Sequence, residues 1–370
     1  MSQDHAVHAP GQVAGGWRPG DPAAGRQFAE LGELPLERGG SLPDTTIAYE
    51  TWGRPNAARD NAVLICHALT GDAHVVGPAG PGQPTPGWWD GLIPAYLDPT
   101  DWYVVAANVL GGCQGSTGPS STAPDGRAWG SRFPAITIRD QVAAEAALAD
   151  ALGIDRWAAV IGGSMGGMRA IEWPLLYPDR VATAVVLAST GYASAEQIAW
   201  CAPQLAAIEA DPHWHGGDYY GTGEAPLAGL GIARRIAHVT YRSEYELAIR
   251  FGRTPQGDGR FAVESYLDHH AAKLAARFDP GSYVVLTRAM NSHDIGRDRG
   301  GQHEALRGLR SRLVVAAVDS DRLYPPRLSA ELVDAHPAAG PLHLVKSPYG
   351  HDGFLIEVDQ VGQLVADVLH

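Results

Sequence analysis

The amino-acid sequence predicts an α/β fold in which a buried, mostly parallel sheet is flanked by helices. Short runs of β-branched and other apolar residues alternate along the chain with longer segments of helical periodicity. Several runs are apolar at nearly every position, as strands covered on both faces of a sheet must be. The 45 glycines and 27 prolines follow no period, so they indicate many tight turns and exclude a collagen-like or wholly disordered chain.

The individual elements follow from these patterns in chain order. Residues 138–152 carry apolar side chains at helical spacing, and Gly153 provides a C-terminal cap. Apolar runs predict strands at 46–52, 62–68, 102–109, 157–161, 181–187, 313–318 and 342–346. Strands that alternate with helices in this way are joined by right-handed crossovers in an α/β sheet.

The alternation is interrupted between residues 195 and 300. This region contains no strand-like run, and its patterns predict helices at 197–210, 227–237, 261–278 and 282–291. A chain of 370 residues has room for two domains or for one large α/β domain with an insertion. We therefore expect a disordered tail at residues 1–16. A core domain would comprise residues 17–194 and 301–370, and a helical lid would comprise residues 195–300.

The charge and the cysteine content exclude several classes of protein. With 28 basic and 41 acidic side chains the formal charge is −13, which argues against binding to nucleic acid. No apolar run approaches the roughly 18–20 residues that cross a bilayer, and residues 1–16 lack the basic and apolar regions of a secretory signal. Three cysteines without a Cys-x-x-Cys pair indicate neither a disulfide framework nor a zinc ribbon. We expect a cytoplasmic protein that binds neither nucleic acid nor membranes.

The strongest functional signal is the segment Gly-Gly-Ser-Met-Gly-Gly at 162–167, between a predicted strand and a predicted helix. It has the pattern G-x-S-x-G, in which a serine occupies a strained turn and exposes its hydroxyl at the end of a sheet. Gly162 and Gly166 allow the strand and the helix to cross closely. Ser164 is therefore the candidate catalytic nucleophile.

A nucleophilic serine needs a base to take its proton and an acid to orient that base. In this topology the order along the chain is serine, acid, histidine. His351 follows the predicted strand 342–346 and is the candidate base. Asp319 and Asp321 both follow the strand 313–318; we prefer Asp321, which begins the segment Asp-Arg-Leu-Tyr-Pro-Pro, and keep Asp319 as the alternative.

The expected oxyanion hole consists of two backbone N–H groups. Met165 follows the nucleophile at the start of a helix, where its N–H faces the developing negative charge. Leu69 lies in the loop that closes the strand 62–68 and supplies the second candidate donor. His67 in the same loop is interpreted as a structural hydrogen-bonding residue, with a second base as the alternative.

Two further sets of residues have the chemistry of ligand sites. The glycine-rich segment 108–119 lacks Gly-Lys-Ser/Thr and does not match a dinucleotide-binding pattern, so we interpret it as a loop at the mouth of the active site. His213, His215 and Asp218 stand in a glycine-flanked loop, whereas the adjacent pair at 269 and 270 lies on a predicted helix and points apart. We expect no metal ion and no bound cofactor.

Eight segments that follow one another along the chain carry a family resemblance. They are Tyr-Glu-Thr-Trp-Gly at 49–53, His-Ala-Leu-Thr-Gly-Asp-Ala-His at 67–74, Trp-Trp-Asp at 88–90, 108–119, Phe-Pro-Ala-Ile-Thr-Ile-Arg-Asp at 133–140, 162–167, Ser-Asp-Arg-Leu-Tyr-Pro at 320–325 and Gly-His-Asp-Gly-Phe-Leu at 350–355. In this combination they resemble the homoserine O-acetyltransferases, from about residue 17 to the C-terminus. The pattern G-x-S-x-G alone is shared with esterases and lipases, whereas the whole set is specific.

The resemblance implies an α/β-hydrolase fold with a helical lid and a ping-pong acyl transfer in methionine biosynthesis. Ser164 would attack the thioester of acetyl-CoA, with His351 as general base and Asp321 as its orienting acid. The amides of Leu69 and Met165 would hold the oxyanion. After CoA leaves, the hydroxyl of L-homoserine would lose its proton to the histidine and accept the acetyl group.

The resemblance also implies two residues that bind the amino-acid acceptor. An arginine on the lid would bind its carboxylate, and the matching segment 233–238 assigns this role to Arg234, with Arg235 as the alternative. Asp352 would bind the α-ammonium group, since a zwitterion needs one fixed cation and one fixed anion. Gly353 departs from the alanine or bulkier residue expected there, and we expect it to loosen the acceptor pocket.

Several other functions are compatible with the same motifs. They are a homoserine O-succinyltransferase, a serine O-acyltransferase, an esterase-type serine hydrolase and a catalytically silent binding module. No cation is evident near the segment Thr-Gly-Asp at 70–72, which favours an acetyl over a dicarboxylic acyl donor. The hydrolase is disfavoured because water needs no zwitterion-binding pair. The family resemblance further suggests a homodimer built through the lid.

Overall fold

A computed structural model describes residues 15–336 and 338–369, so most of the predicted tail at 1–16 lies outside the described residues. Within these ranges the strands are β1 (Gln27–Pro35), β2 (Ser41–Trp52), β3 (Ala62–Cys66), β4 (Tyr103–Ala107), β5 (Trp157–Gly163), β6 (Val181–Leu187), β7 (Arg312–Val318) and β8 (His343–Val345). They form one sheet in the order β1-β2-β4-β3-β5-β6-β7-β8. The hairpin β1–β2 is antiparallel and pairs antiparallel with β4, whereas β3 to β8 are parallel. The predicted mostly parallel sheet is confirmed.

Helices alternate with the strands as the sequence predicts. In chain order they are α1 (Ile138–Ala151), α2 (Met165–Leu176), α3 (Ala195–Glu209), α4 (Leu227–Tyr241), α5 (Glu244–Phe251), α6 (Ala262–Ala275), α7 (Pro280–Asn291), α8 (Gln302–Arg307), α9 (Pro326–Ala335), α10 (Gly353–Ile356) and α11 (Val358–Leu369). The start of α1 illustrates the local cause, since Thr137 and Asp140 form a reciprocal capping box that satisfies otherwise free N–H groups. In the described part of the chain, none of these helices has the length and apolar character needed to cross a bilayer.

Two apolar cores cover the two faces of the sheet. On β3, Leu64 belongs to the core that contains Trp173 of α2, whereas its neighbour Ile65 belongs to the core that contains Val361 of α11. Successive residues of a strand point to opposite faces, so a strand covered on both sides must be apolar at every position. This is why the central strands are legible in the sequence as continuous apolar runs.

Within the described residues six helices, α3 to α8, lie between β6 and β7, and we call the first five, α3 to α7, the inserted helices. Among them α4 packs against both α3 and α6. The sequence did not predict α5, a helix of eight residues with only Glu246 buried. It also did not predict β1, in which Leu34 alone is buried. β1 lacks the alternation of apolar residues on which the prediction depends, and α5 has only about two helical turns.

The order of the strands determines where a site can form. β3 lies between β4 and β5, so the connections on its two sides leave in opposite directions, and a crevice opens at the carboxyl ends of the strands. Cys66 at the end of β3 is in register with Gly162 near the end of β5. The loops that follow β3, β5, β7 and β8 therefore meet at one edge of the sheet.

Candidate active site

Ser164 occupies the sharp turn between β5 and α2. Its backbone has φ 56° and ψ −124°, a conformation that is costly for a residue with a side chain and persists where the surrounding structure enforces it. The close crossing of strand and helix is enforced by glycine, because a Cβ atom on Gly166 would overlap the carbonyl oxygen of Cys66. A Cβ atom on Gly162 would likewise overlap Gly166. These contacts agree with the role expected for both glycines.

His351 and Asp321 are joined by a short hydrogen bond. The distance between His351 Nδ1 and Asp321 Oδ2 is 2.6 Å, and both side chains are almost fully buried. The other carboxylate oxygen, Asp321 Oδ1, accepts hydrogen bonds of 2.8 Å from the N–H groups of Leu323 and Tyr324, which fix its orientation. In the described residues His351 Nε2 has no hydrogen-bond partner, and His351 lines the same cavity as Ser164.

Opposing influences act on the pKa of His351, the candidate base. Burial lowers the pKa of the imidazole, and the neighbouring Asp321 and Asp352 carboxylates raise it. The net result is a pKa above the ordinary value of 6.5. Asp319, the alternative acid, contacts other groups: it accepts a hydrogen bond of 3.0 Å from the Ser347 N–H and forms an ion pair with Lys346.

The two predicted oxyanion donors belong to the same apolar cluster beside the turn that contains Ser164. Met165 is the first residue of α2, and Leu69 lies in a turn closed by a 2.9 Å hydrogen bond from the Gly71 N–H to the Ala68 carbonyl. Neither Leu69 nor Met165 uses its N–H in a hydrogen bond within residues 15–336 and 338–369. Both amides are thus available to a ligand.

His67 contributes to the structure of the loop after β3 that carries Leu69, which we call the oxyanion loop. Its Nδ1 donates to the Ala68 carbonyl at 2.7 Å, and its Nε2 accepts the Val109 N–H at 3.0 Å. Burial, together with the nearby Arg169 guanidinium, lowers the pKa of His67 to about 3. The imidazole is therefore neutral and fully bonded, as expected of a structural hydrogen-bonding residue.

A single cavity of about 320 Å³ contains most of the predicted site residues. Ser164, His351, Arg234, Asp352 and Leu69 line it together. The guanidinium of Arg234 lies 5.3 Å from the centre of the Tyr241 ring. Its Nε and Nη1 atoms are buried and have no hydrogen-bond partner in the described part of the chain. A buried cation with unused donors is suited to bind a carboxylate from a ligand.

Arg235, the alternative to Arg234, lies outside this cavity. Its Nε is 2.7 Å from Asp268 Oδ1, and its side chain is 40% exposed. Because consecutive residues of a helix point in different directions, only one of the two arginines on α4 can face the cavity. The structure brings Arg234 to the candidate nucleophile and directs Arg235 to α6.

Asp352 has a partner that sequence reasoning missed. Arg242, directly after α4, places its Nε 3.3 Å from Asp352 Oδ2, and both side chains are largely buried. Burial raises the pKa of Asp352, while Arg242 and His351 lower it. Arg242 lies outside every motif recognised in the sequence. No signal in the sequence therefore associates it with Asp352, which follows the candidate base.

Sequence reasoning also missed a second arginine, and this residue overturns the observation on which the preference for an acetyl over a dicarboxylic acyl donor is based. Arg277, between α6 and α7, donates a 2.8 Å hydrogen bond from Nη2 to the Thr70 carbonyl and lines the cavity. The prediction that no cation lies near residues 70–72 is therefore wrong. The distance of 207 residues along the chain concealed it, because only the tertiary fold brings this loop to the oxyanion loop.

Comparisons with known proteins agree with this geometry. Residues 61–358 match the α/β hydrolase fold family. A homoserine O-acetyltransferase of Thermobifida fusca (strain YX) is 60% identical, and the similarity covers 99% of each chain. One of Mycobacterium tuberculosis (strain CDC 1551 / Oshkosh) is 55% identical over 94% of each. The chain belongs to the homoserine O-acetyltransferase family.

Solved structures of the homoserine O-acetyltransferase family and of esterases share the fold. A homoserine O-acetyltransferase from Bacillus anthracis has a TM-score of 0.86 and 25% identity, over 93% of this chain and 97% of that one. Esterase E22 has a TM-score of 0.85 and 25% identity, over 93% and 99%. The predicted family and α/β-hydrolase fold are confirmed, and the fold alone does not distinguish transfer from hydrolysis.

Gly353, which departs from the pattern expected of the homoserine O-acetyltransferase family, does not have the predicted effect on the acceptor pocket. A Cβ atom on Gly353 would lie 2.7 Å from Val318 Cγ1 and 2.9 Å from both Cβ and Oγ of Ser347. Neither neighbour lines the cavity. The expectation that Gly353 loosens the acceptor pocket is wrong, because a side chain at this position would point towards the end of β7 and not into the cavity.

The structure does not bring together His213, His215 and Asp218, the three residues that the sequence offered as metal ligands. Asp218 bonds to the backbone and hydroxyl of Ser131. Glu224 takes its place beside His213 and His215, with the ligand atoms of the three residues within 4.8 Å of one another. All three are exposed, and His213 Nδ1 already pairs with Glu224 at 2.9 Å.

The two histidines of α6 also have distinct surroundings. The ring of His270 lines the cavity and stacks on His238 at 3.9 Å, while the ring planes of His269 and His270 differ by 85°. Burial, with Arg234 nearby, lowers the pKa of His270 to about 4. Neutral stacked imidazoles therefore form part of the cavity wall.

Proposed function

We propose that the protein is a homoserine O-acetyltransferase that transfers the acetyl group of acetyl-CoA to L-homoserine in a ping-pong reaction. The observation that carries the proposal is one cavity that contains Ser164, His351 and the Arg234 guanidinium, whose Nε and Nη1 are unbonded among the described residues. Similarity over nearly the whole chain to relatives named homoserine O-acetyltransferase supports the choice of donor and acceptor. Acetyl-CoA is a co-substrate, and the proposed chemistry needs no bound cofactor or metal.

In the first half-reaction Ser164 becomes acetylated. Its Oγ attacks the thioester carbonyl of acetyl-CoA as His351 Nε2 takes the hydroxyl proton, and the 2.6 Å bond to Asp321 stabilises the imidazolium. The N–H groups of Leu69 and Met165 hold the tetrahedral oxyanion. The carbon–sulfur bond then breaks, and the CoA sulfur leaves with the proton from His351.

In the second half-reaction the acetyl group moves to the acceptor. His351 Nε2 takes the proton of the homoserine γ-hydroxyl, and the resulting oxygen nucleophile attacks the ester carbon of acetyl-Ser164. The same two amides hold the second oxyanion. When the ester bond to Ser164 breaks, Oγ recovers a proton from His351, and the product is O-acetyl-L-homoserine.

The acceptor would be held by two charged side chains that line the cavity. Arg234 would bind the α-carboxylate through its free donors, while Asp352 would bind the α-ammonium. Arg242 already contacts one oxygen of Asp352. This cation offsets part of the rise that burial causes in the pKa of the Asp352 carboxyl. An acceptor without this zwitterion would gain neither contact.

The inserted helices would form the lid of the enzyme. We infer a core domain of residues 17–194 and 301–370 and a lid of residues 195–300, because α4 and the loop after α6 contribute Arg234 and Arg277 to the cavity. Exposed apolar side chains on α3, α4 and α5 support a homodimer through this lid: Ile198, Trp200, Ile232, Tyr245 and Ile249. A monomeric mass in solution would contradict that assembly. Action in the cytoplasm, in methionine biosynthesis, completes the proposal.

Two competing activities rest on specific observations. Esterase E22 and the Bacillus anthracis homoserine O-acetyltransferase are each 25% identical to this chain, so an esterase-type hydrolase is one competing activity. Arg277 near Thr70 offers a cation to a succinyl donor. A serine O-acyltransferase would use the same zwitterion-binding pair for a shorter acceptor.

One assay separates these activities. The purified protein is mixed with acetyl-CoA or succinyl-CoA, alone or with L-homoserine or L-serine, and the released thiol is followed with the acylated amino acid. We expect acetyl-CoA alone to release at most about one equivalent of thiol per enzyme, and continuous thiol release only with acetyl-CoA and L-homoserine together. Equal release without an amino acid would contradict the transferase, and preference for succinyl-CoA or for L-serine would identify the corresponding alternative.

A further inference from the structure

Arg169 joins the two elements that carry the expected oxyanion donors. It lies on α2 about one helical turn after Met165, and its side chain is completely buried. Its Nη2 donates a hydrogen bond to the carbonyl of His67, two residues before Leu69 in the oxyanion loop. The guanidinium therefore connects the helix that begins with one donor directly to the loop that carries the other.

The guanidinium is held in turn by a carboxylate from a third element. Glu145 of α1 pairs with Arg169 Nη1, and only 2% of its side chain is exposed. Its other oxygen accepts a 2.8 Å hydrogen bond from Trp173 Nε1 on α2, and Cys66 Sγ lies 3.9 Å from each oxygen. Arg169 Nε has no hydrogen-bond partner among the described residues, so its polar contacts are Glu145 and the His67 carbonyl. Two contacts on one planar fork fix its orientation.

Hydrogen bonds within the oxyanion loop set the direction of its donor. The Ala68 carbonyl accepts hydrogen bonds from His67 Nδ1 at 2.7 Å and from the Gly71 N–H at 2.9 Å. This carbonyl belongs to the same planar peptide group as the Leu69 N–H, and the two point in opposite directions. Both bonds therefore orient the Leu69 N–H, but neither connects the loop to α2.

Three hydrogen bonds attach the oxyanion loop to the rest of the described chain. The Val109 N–H donates to His67 Nε2 at 3.0 Å, Arg277 of the insertion donates to the Thr70 carbonyl, and Arg169 donates to the His67 carbonyl. The last of these is the one that comes from α2. Two amides stabilise an oxyanion only when both lie about 2.7–3.1 Å from it, so the spacing between loop and helix has to be fixed.

We infer that Arg169 is a positioning residue for the oxyanion hole: its guanidinium sets the spacing between the Leu69 and Met165 amides, and Glu145 holds the guanidinium in place. The inference rests on the proposed function of Ser164 and of these two amides. Arg169 touches neither substrate. Because the same two amides serve both half-reactions, its removal should slow both by the same factor.

Two variants remove the contact with the oxyanion loop. Arg169→Met also leaves the Glu145 carboxylate buried without its cation, which should lower the melting temperature strongly. Combining it with Glu145→Gln removes that charge, so we expect the double variant to recover part of the melting temperature and to keep the test decisive if the single variant does not fold. Neither variant holds the His67 carbonyl. In both we expect the two half-reactions to slow by about ten- to a hundredfold.

Glu172→Gln is the matched control on the same helix. The Glu172 side chain is 1% exposed, and it pairs with Arg139 and Arg299, which make no contact with the oxyanion loop. The two arginines lose their anionic partner in this variant, so the melting temperature should fall. We expect both half-reactions to stay within about twofold of the unmodified protein.

Two measurements report on the rates. Acyl-enzyme formation is followed by the burst of 4-nitrophenol released from 4-nitrophenyl acetate, and transfer by single-turnover mixing of the acetyl-enzyme with L-homoserine. The L-homoserine concentration that gives half the maximal transfer rate should not change in any variant, because Arg234 and Asp352 are intact.

A third measurement reports on the oxyanion hole itself. Ser164 Oγ adds to the boron of methylboronic acid while its proton passes to His351, and the product is an anionic tetrahedral boronate that resembles the intermediate. We expect the affinity for methylboronic acid to weaken by the same factor as the rates in both Arg169 variants, as for a transition-state analogue.

Three outcomes would overturn the inference. They are an unchanged burst rate in the double variant, an unchanged affinity of that variant for methylboronic acid, and an equal loss of rate in Glu172→Gln. The burst requires neither CoA nor L-homoserine. A protein that gives the burst but does not acetylate L-homoserine would contradict the proposed function, and the test of Arg169 would still be complete.

Discussion

The core and the inserted helices contribute to the cavity in different ways. Ser164, Asp321 and His351 follow the ends of β5, β7 and β8, so the geometry of a rigid sheet brings them together. Arg234, Arg242 and Arg277 come from α4 and from the loops after α4 and α6. The fold similarity to esterase E22 covers 93% of this chain, so it extends into the inserted helices. On the proposed function, the sheet would supply the acyl-enzyme chemistry, and the arginines of the insertion would select the acceptor.

The largest effect is expected in the core. Ser164→Ala removes the nucleophile, so thiol release from acetyl-CoA should fall by about five to six orders of magnitude, with or without L-homoserine. Stopped-flow detection of thiol, with the melting temperature as a control for folding, measures this loss. Persistent formation of a labelled acyl-enzyme in the variant would assign the nucleophile elsewhere.

The second prediction distinguishes the two aspartates after β7. Asp321→Asn leaves His351 without its anionic partner, and the turnover number should fall by about 10⁴-fold. Asp319→Asn is the matched control and should change turnover by no more than about twofold, because it loses only a partly exposed ion pair with Lys346. The reverse ranking would make Asp319 the orienting acid.

The third prediction tests the role of the inserted helices. Arg234→Met should lower kcat/KM for L-homoserine by about a hundred- to a thousandfold, because the carboxylate loses a buried cationic partner. The acyl-enzyme burst should remain close to that of the unmodified protein. Arg235→Met, which removes only the contact with Asp268, serves as control. Equal loss in both half-reactions would place Arg234 in the shared machinery.

A smaller effect is expected in the pH profile of acyl-enzyme formation. The pKa of His351 is raised, so the rate should decrease as the pH falls through a value above 6.5, where the base becomes protonated. The Asp352 carboxylate contributes to this rise. Asp352→Asn removes it and leaves the Arg242 cation unpaired, and both changes shift the acidic limb to lower pH. A shift to higher pH would contradict this electrostatic assignment.

The smallest catalytic effect concerns Gly353. An alanine there would contact Val318 and Ser347, so Gly353→Ala should lower the free energy of unfolding by about 1–3 kcal/mol. Its kcat and KM should stay within about twofold. Gly308→Ala, at a position with free space around the added methyl group, is the control and should not destabilise the protein. Urea unfolding and steady-state kinetics test both statements.

The parts of the site that were predictable are those with a local signature. Ser164 stands in a glycine-rich turn after an apolar strand, and His351 and Asp321 follow strands whose burial makes them continuous apolar runs. Arg242 and Arg277 have no such signature, because each acquires its role from a contact made by the tertiary fold. Gly353 was misinterpreted for a related reason: the sequence does not reveal which side of the backbone faces the cavity.

The hydrogen bond from Arg277 to the Thr70 carbonyl joins the insertion to the loop that carries Leu69. A molecule whose inserted helices opened transiently would lose this bond together with Arg234, and so would lose its acceptor site. Its nucleophile and base would remain, and water would then be the available acceptor. On the proposed function, the stability of the insertion would therefore determine how much acetyl-CoA is lost to hydrolysis, and this fidelity would respond to substitutions far from Ser164.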